Sequence, residues 1–100
     1  MRLSPKQIAT IRQATAATFG PDAHVWLFGS RIDDRLRGGD VDLLVTLNRP
    51  IDRPALLSAR LSAQLERLLD GRQVDVLLKA PNLRQFPIHE IAESQGERLQ

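Results

Sequence analysis

The sequence has 100 residues, of which 42% are hydrophobic, and this length predicts one globular domain with a single core over residues 1–100. Cysteine is absent, which excludes disulfides and thiolate metal sites, and no apolar run suits a membrane span or a signal peptide, so we expect a cytoplasmic protein. The net charge is only +2, and the scattered basic residues and four aromatics argue against nucleic acid as a direct ligand.

The first predicted elements are a helix and a short strand. Ser4 is a good N-cap, Pro5 suits the first helical position, and Gln7 completes a capping box, so a helix begins here and ends before Gly20. Residues 23–28 are rich in β-branched and aromatic side chains, which indicates a strand. We interpret His24 as a strand-start or surface residue rather than a ligand.

A charged loop is predicted over residues 29–39, directly after this strand. Gly29 and Ser30 form a turn whose N–H groups and hydroxyl can contact phosphate, and Ser30 can cap a following helical turn. Arg35 and Arg37 are as compatible with a solvated loop face as with a phosphate contact, and their roles stay open.

Two aspartates stand at the start of the next predicted strand, residues 40–47. Because alternate side chains of a strand share a face, Asp40 and Asp42 point the same way and Val41 points the opposite way. Paired carboxylates repel each other unless a cation lies between them, and Mg²⁺ prefers such oxygen ligands. Further along, both faces become apolar, which predicts a central strand covered on both sides.

The second half of the sequence predicts a helix, a strand and a short helix. The helix starts at Pro54, ends at 70–71, and carries a core stripe of leucines at helical spacing: Leu57, Leu61, Leu65, Leu68 and Leu69. Asp75 interrupts an aliphatic strand, 74–78, that we expect to be buried; it either joins the other carboxylates or pairs with an arginine.

The last predicted helix spans residues 88–94. His89 and Glu90 are interpreted as a surface pair on this helix, although a catalytic role for His89 stays open. Gly96 is expected to stop the helix, and Leu99 to pack back onto the domain.

Three motifs together resemble the minimal nucleotidyltransferases of the polymerase β-like superfamily, which include MntA-like antitoxins. They are GSR at residues 29–31, GDVDLLV at 39–45 and VDVLL at 74–78. The resemblance implies an α/β (α+β) fold with a mixed three- to four-stranded sheet flanked by helices. It also implies catalytic and metal-binding roles for Asp40, Asp42 and Asp75 with two Mg²⁺, and nucleotide phosphate contacts for Gly29, Ser30 and Arg31. The acidic pair Asp33 and Asp34 departs from the basic surroundings of this loop.

The same resemblance implies transfer of AMP, or another nucleoside monophosphate, from ATP to a hydroxyl. Small members of the family are often antitoxins paired with an all-helical HEPN-type toxin. The chain looks too short to include an acceptor-binding domain, so we expect the acceptor site to come from such a partner or from a second copy. Two alternatives stay open: a non-catalytic module that masks its partner, and transfer to a small molecule, against which the missing acceptor domain argues.

Overall fold

The computed structural model describes residues 3–28, 41–85 and 87–99. Its elements are α1 (Pro5–Phe19), β1 (His24–Phe28), β2 (Val41–Thr46), α2 (Pro54–Leu68), β3 (Val74–Lys79), α3 (Pro87–Gln95) and β4 (Glu97–Arg98). The strands form one sheet in the order β3-β2-β1-β4, in which β2 and β3 are parallel and the other pairs antiparallel. This mixed four-stranded sheet with flanking helices confirms the predicted fold class.

The predicted capping box opens α1. The Ser4 hydroxyl accepts a hydrogen bond from the Gln7 N–H at 3.1 Å, and the Gln7 side chain accepts one from the Ser4 N–H at 2.8 Å. These two bonds satisfy backbone donors that a helix start otherwise leaves without partners.

The core lies on one face of the sheet, under α1 and α2. Alternate residues of the three long strands point into it, so β2 contributes Val41, Leu43 and Val45, each with no exposed surface. The opposite face buries Leu44 of β2 and Ala92 of α3. The prediction of a central strand covered on both sides is confirmed.

The leucine stripe of α2 is confirmed except at one position. Leu61, Leu65 and Leu69 follow each other at intervals of four residues and are buried, and Leu57 packs against the same cluster. Leu68 was predicted to join them, but it is 53% exposed. It is the last residue of the helix and lies about 100° away from the row that ends at Leu69.

The prediction that strand 74–78 is buried is wrong for most of its length, because β3 lies at the edge of the sheet. Val74 is buried, Asp75 is exposed, and residues 76–79 are half-buried. Val74 is covered at the edge by α2: its N–H donates to Glu66 at 3.1 Å, and its carbonyl accepts from the Ser62 hydroxyl. Such contacts block the backbone groups that an edge strand offers to other chains.

The surface assignment of His89 is also wrong, whereas Glu90 is exposed as predicted. His89 is only 5% exposed, and its Nε2 donates to the backbone carbonyl of Leu78 at 3.1 Å. The histidine therefore ties α3 to β3, a contact that the local helical pattern does not reveal.

The end of the described chain returns to the sheet as predicted. Gly96 follows the last residue of α3, and Leu99 is buried, with its N–H donating to the Val25 carbonyl at 2.8 Å. The two-residue strand β4, which pairs with β1, was not predicted. Within the described residues, no helix is long and apolar enough to cross a membrane.

Candidate active site

Two of the three predicted catalytic carboxylates are neighbours in the sheet. Asp42 and Asp75 are the second residues of β2 and β3, and they are register partners in the parallel pairing. Paired strands lie about 4.8 Å apart, and register partners project from the same face. The structure therefore brings Asp42 and Asp75 together at one end of the sheet, although 33 positions separate them in the sequence.

The two carboxylates differ in environment. Asp42 is half-buried, whereas Asp75, on the edge strand, is exposed. The Gln73 amide donates to Asp75 Oδ1 at 3.4 Å, and no arginine pairs with Asp75 among the described residues. Gln73, which directly precedes β3, was not singled out in the sequence, although side chains two positions apart in extended backbone point to the same side.

Strand β1 ends beside the same pair. Phe28, its last residue, is the register partner of Asp42, so Phe28, Asp42 and Asp75 form a row across three strands. The remaining predicted site residues lie outside the described residues: Gly29, Ser30, Arg31 and Asp40, together with Asp33, Asp34, Arg35 and Arg37. Their roles stay predictions.

The chemistry of Asp42 and Asp75 fits a hard divalent cation. Mg²⁺ is usually held by one or two carboxylates together with substrate phosphates, and the exposure of Asp75 leaves room for such a substrate. Within the described ranges, no group of three or more metal-binding side chains occurs, and Asp40 is outside that search. These two residues could hold one metal ion from one side.

The fold and the paired carboxylates together define a class: an α/β protein with a candidate site for a metal-bound phosphate ester. A comparison with protein families shows which family within this class the chain belongs to. The model of the nucleotidyltransferase domain matches residues 8–95, which is most of the chain, and the protein belongs to this family.

Several solved structures with a similar fold are described as toxin–antitoxin structures. A chain of the tri-AMPylated Shewanella oneidensis HEPN toxin in complex with MNT antitoxin aligns with a TM-score of 0.67 at 21% identity, covering 95% of this chain and 70% of that chain. A chain of the toxin–antitoxin MntA–HepT aligns with a TM-score of 0.66 at 20% identity, and the alignment covers 97% of this chain and 72% of that chain.

A third structure, described as a toxin–antitoxin with AMP-PNP, aligns with a TM-score of 0.68 at 21% identity, covering 98% of this chain and 73% of that chain. At these identities the likeness establishes the fold. The comparison with curated protein sequences found no match.

Proposed function

We propose that the protein transfers AMP from ATP to a hydroxyl of a protein partner, and that it acts as the antitoxin of a pair with a HEPN-type toxin. The observation that carries the proposal is the register of Asp42 with Asp75, which brings two carboxylates together on neighbouring strands. Such a pair supports binding of a metal-bound nucleotide. Family membership supports nucleotidyl transfer. The AMPylated toxin and the AMP-PNP complex among the structural neighbours support the choice of nucleotide and partner.

The proposed reaction is a displacement at the α-phosphorus of ATP. The acceptor oxygen forms a bond to that phosphorus, the bond from phosphorus to the pyrophosphate oxygen breaks, and the hydroxyl proton passes to a carboxylate, for which Asp75 is the exposed candidate. Asp42 and Asp75, with Asp40, would hold Mg²⁺, which neutralises the charge of the phosphates. Gly29, Ser30 and Arg31 are proposed to bind the phosphates that leave.

The test is label transfer to the helical protein encoded beside this chain's gene. We expect that protein to become labelled from ATP carrying the label at the α-phosphate, only with Mg²⁺, and not from ATP labelled at the γ-phosphate. Asp42→Asn should abolish labelling, whereas Asp52→Asn, an exposed aspartate before α2, should not change it.

Two results would contradict the proposal. Absence of labelling with the authentic partner would exclude transfer to that protein. If the Asp42→Asn variant neutralised the partner as well as the unaltered chain does, masking of the partner and not AMP transfer would be what silences the partner.

A further inference from the structure

A polar cavity lies on the same face of the sheet as Asp42 and Asp75, but at the opposite end of that face. It has a volume of about 480 Å³. Its lining includes one row of register partners across β1, β2 and β3, namely His24, Thr46 and Lys79. Trp26 of β1, Glu93 of α3 and Arg98 of β4 also line it. This volume falls within the range of small-molecule sites in proteins.

The cavity is separate from the candidate active site. Thr46 and Lys79 are register partners four residues beyond Asp42 and Asp75 in their strands. At about 3.3 Å per residue, this places the two ends about 13 Å apart. The cavity lies at the carboxyl ends of the parallel strands β2 and β3, where ligands commonly bind in α/β sheets.

Arg98 organises one wall of the cavity. Its guanidinium carbon lies 6.0 Å from the centre of the Trp26 ring, and its Nη2 lies 2.9 Å from Nδ1 of His24. Because a guanidinium can only donate, Nδ1 of His24 is the acceptor in this contact. The contacts with Trp26 and His24 hold a permanent cation at this wall.

Hydrogen-bond donors outnumber acceptors among these side chains. Lys79 forms an ion pair with Glu93, the acidic residue in the lining, and the two side chains stay 34% and 32% exposed. Arg98 and Lys79 supply cationic donors, and Glu93 offsets only one of the two charges.

We propose that this cavity binds a small organic oxyanion, either a carboxylate or a phosphate ester. An oxyanion accepts hydrogen bonds and carries the charge that complements Arg98 and Lys79, and bonds between ions of this kind are the strong ones in proteins. The indole of Trp26 offers an apolar surface to the organic part of the ligand. The site does not depend on the proposed AMP transfer.

Trp26 makes the test specific, because it is the one tryptophan in the sequence. Its fluorescence and the NMR signal of its indole N–H are followed while the whole chain is titrated with citrate, AMP or inorganic phosphate, without Mg²⁺, up to about 10 mM. We expect a saturable change with citrate or AMP. Response to citrate alone identifies a carboxylate site, and response to AMP alone identifies a phosphate-ester site.

Variants separate this cavity from the candidate active site. Arg98→Ala and Lys79→Gln should each weaken binding by at least about 10-fold. Two control variants should leave the affinity of the cavity for the anion unchanged. They are Arg67→Ala, at an exposed position of α2, and Asp42→Asn, at the other end of the sheet. Because Arg98 lies in β4, the amide spectrum of its variant is compared with that of the unaltered chain, and Lys79→Gln provides the independent reading.

The proposal is overturned if neither organic anion changes the Trp26 signals. It is also overturned if binding persists unweakened in both the Arg98 and Lys79 variants, or if inorganic phosphate binds as tightly as the organic anions, since that result indicates an adventitious ion only.

Discussion

Asp42 and Asp75 lie side by side at a cost in electrostatic repulsion, and the fold itself does not need two carboxylates at these positions. Like charges directly opposite each other on neighbouring strands destabilise a sheet, and a cation between them removes that repulsion. Gln73 offsets part of the charge of Asp75 with a hydrogen bond from its amide. At the scale of single residues, the pair therefore has the character of a functional site that lowers stability slightly.

Replacing Asp75 should separate activity from stability. In Asp75→Asn, we expect transfer to fall by at least about 100-fold, because a proposed metal ligand and the candidate proton acceptor are lost. The free energy of unfolding without metal should rise by about 0.2–1 kcal/mol, since the repulsion with Asp42 disappears. Enzyme assays and urea denaturation measure the two effects.

Asp70→Asn is the matched control for this variant. Asp70 is exposed in the turn after α2, where its φ is 62°, a conformation that asparagine also tolerates. The control should change neither quantity. A fall in stability in Asp75→Asn would contradict the account of the pair.

A second residue-scale prediction concerns pH. Arg49 donates to Asp22 at 3.0 Å, and this hydrogen bond lowers the pKa of the Asp22 carboxyl below its ordinary value of 3.8. A lowered pKa in the folded state means that the carboxylate stabilises the fold at pH values above about 4, and that this contribution is lost as the pH falls through the folded value. Because the pair is exposed, the effect is small and is screened by salt.

We therefore expect Asp22→Asn to lower stability at pH 6 and low salt, with the difference from the unaltered chain narrowing towards pH 2.5. Urea denaturation at the two pH values measures it, and added salt should reduce the difference at pH 6. A difference that grows in acid would contradict the assignment of the shift to Arg49.

At the scale of elements, the edge strand β3 carries Asp75 of the candidate site, and side chains of two helices bind its backbone. Side chains of Glu66 and Ser62 from α2 bind the backbone of Val74, and His89 from α3 binds the carbonyl of Leu78. These contacts fix the strand that presents Asp75, so the geometry of the carboxylate pair depends on both helices.

Glu66→Ala should destabilise the fold by about 1–3 kcal/mol, because the buried Val74 loses the acceptor of its N–H. Thermal or urea unfolding measures this loss. Glu90→Ala, at an exposed position of α3, is the comparison and should change stability by less than about 0.5 kcal/mol. Equal effects of the two variants would show that the hydrogen bond from Val74 to Glu66 does not stabilise the fold.

The junction between α3 and β4 leaves no room for a side chain. A Cβ on Gly96 would collide with the backbone carbonyl of Ala92 and lie 2.9 Å from that of Leu27. Gly96→Ala should therefore cost about 1–3 kcal/mol, the usual penalty of overpacking. In Gly71→Ala the new Cβ meets open space, but φ is 80°, so we expect a loss of only about 1 kcal/mol.

Unfolding measurements on the two glycine variants rank these costs. If Gly71→Ala were the more damaging change, the close approach of α3 to β1 would not be the reason for Gly96.

Local patterns predicted the helices and the three longer strands, and the non-local features had to come from the structure. Capping residues and periodicity act within a few positions, as at Ser4 and in the leucines of α2. Strand order, in contrast, depends on residues far apart in the sequence. The aliphatic run around Asp75 therefore indicated a buried strand, although β3 lies at the edge of the sheet. The hydrogen bond from His89 to Leu78, like β4, depends on how distant elements pack together.

The candidate site likewise combines features that local patterns predict with features that depend on strand pairing. Alternation placed Asp42 on one face of its strand, but only the parallel register with β3 brings Asp75 beside it. The family resemblance anticipated this neighbour from motifs, whereas the residues alone left open an arginine partner for Asp75.

At the scale of the whole molecule, one face of the sheet carries two polar regions. Phe28, Asp42 and Asp75 cross the strands at one end, and His24, Thr46 and Lys79 cross them at the other. The first end is acidic and suits a metal-bound nucleotide, and the second is rich in donors and suits an oxyanion. The sheet therefore has the layout of a nucleotidyltransferase domain with a separate ligand cavity.

We propose that Asp42 and Asp75 hold a metal-bound nucleotide, and calorimetric titration of the chain with ATP tests this most directly. We predict that ATP binds when Mg²⁺ is present, that binding is lost in EDTA, and that the double variant Asp42→Asn with Asp75→Asn does not bind under either condition. Equal ATP affinity with and without Mg²⁺, or unchanged affinity in the double variant, would contradict the account.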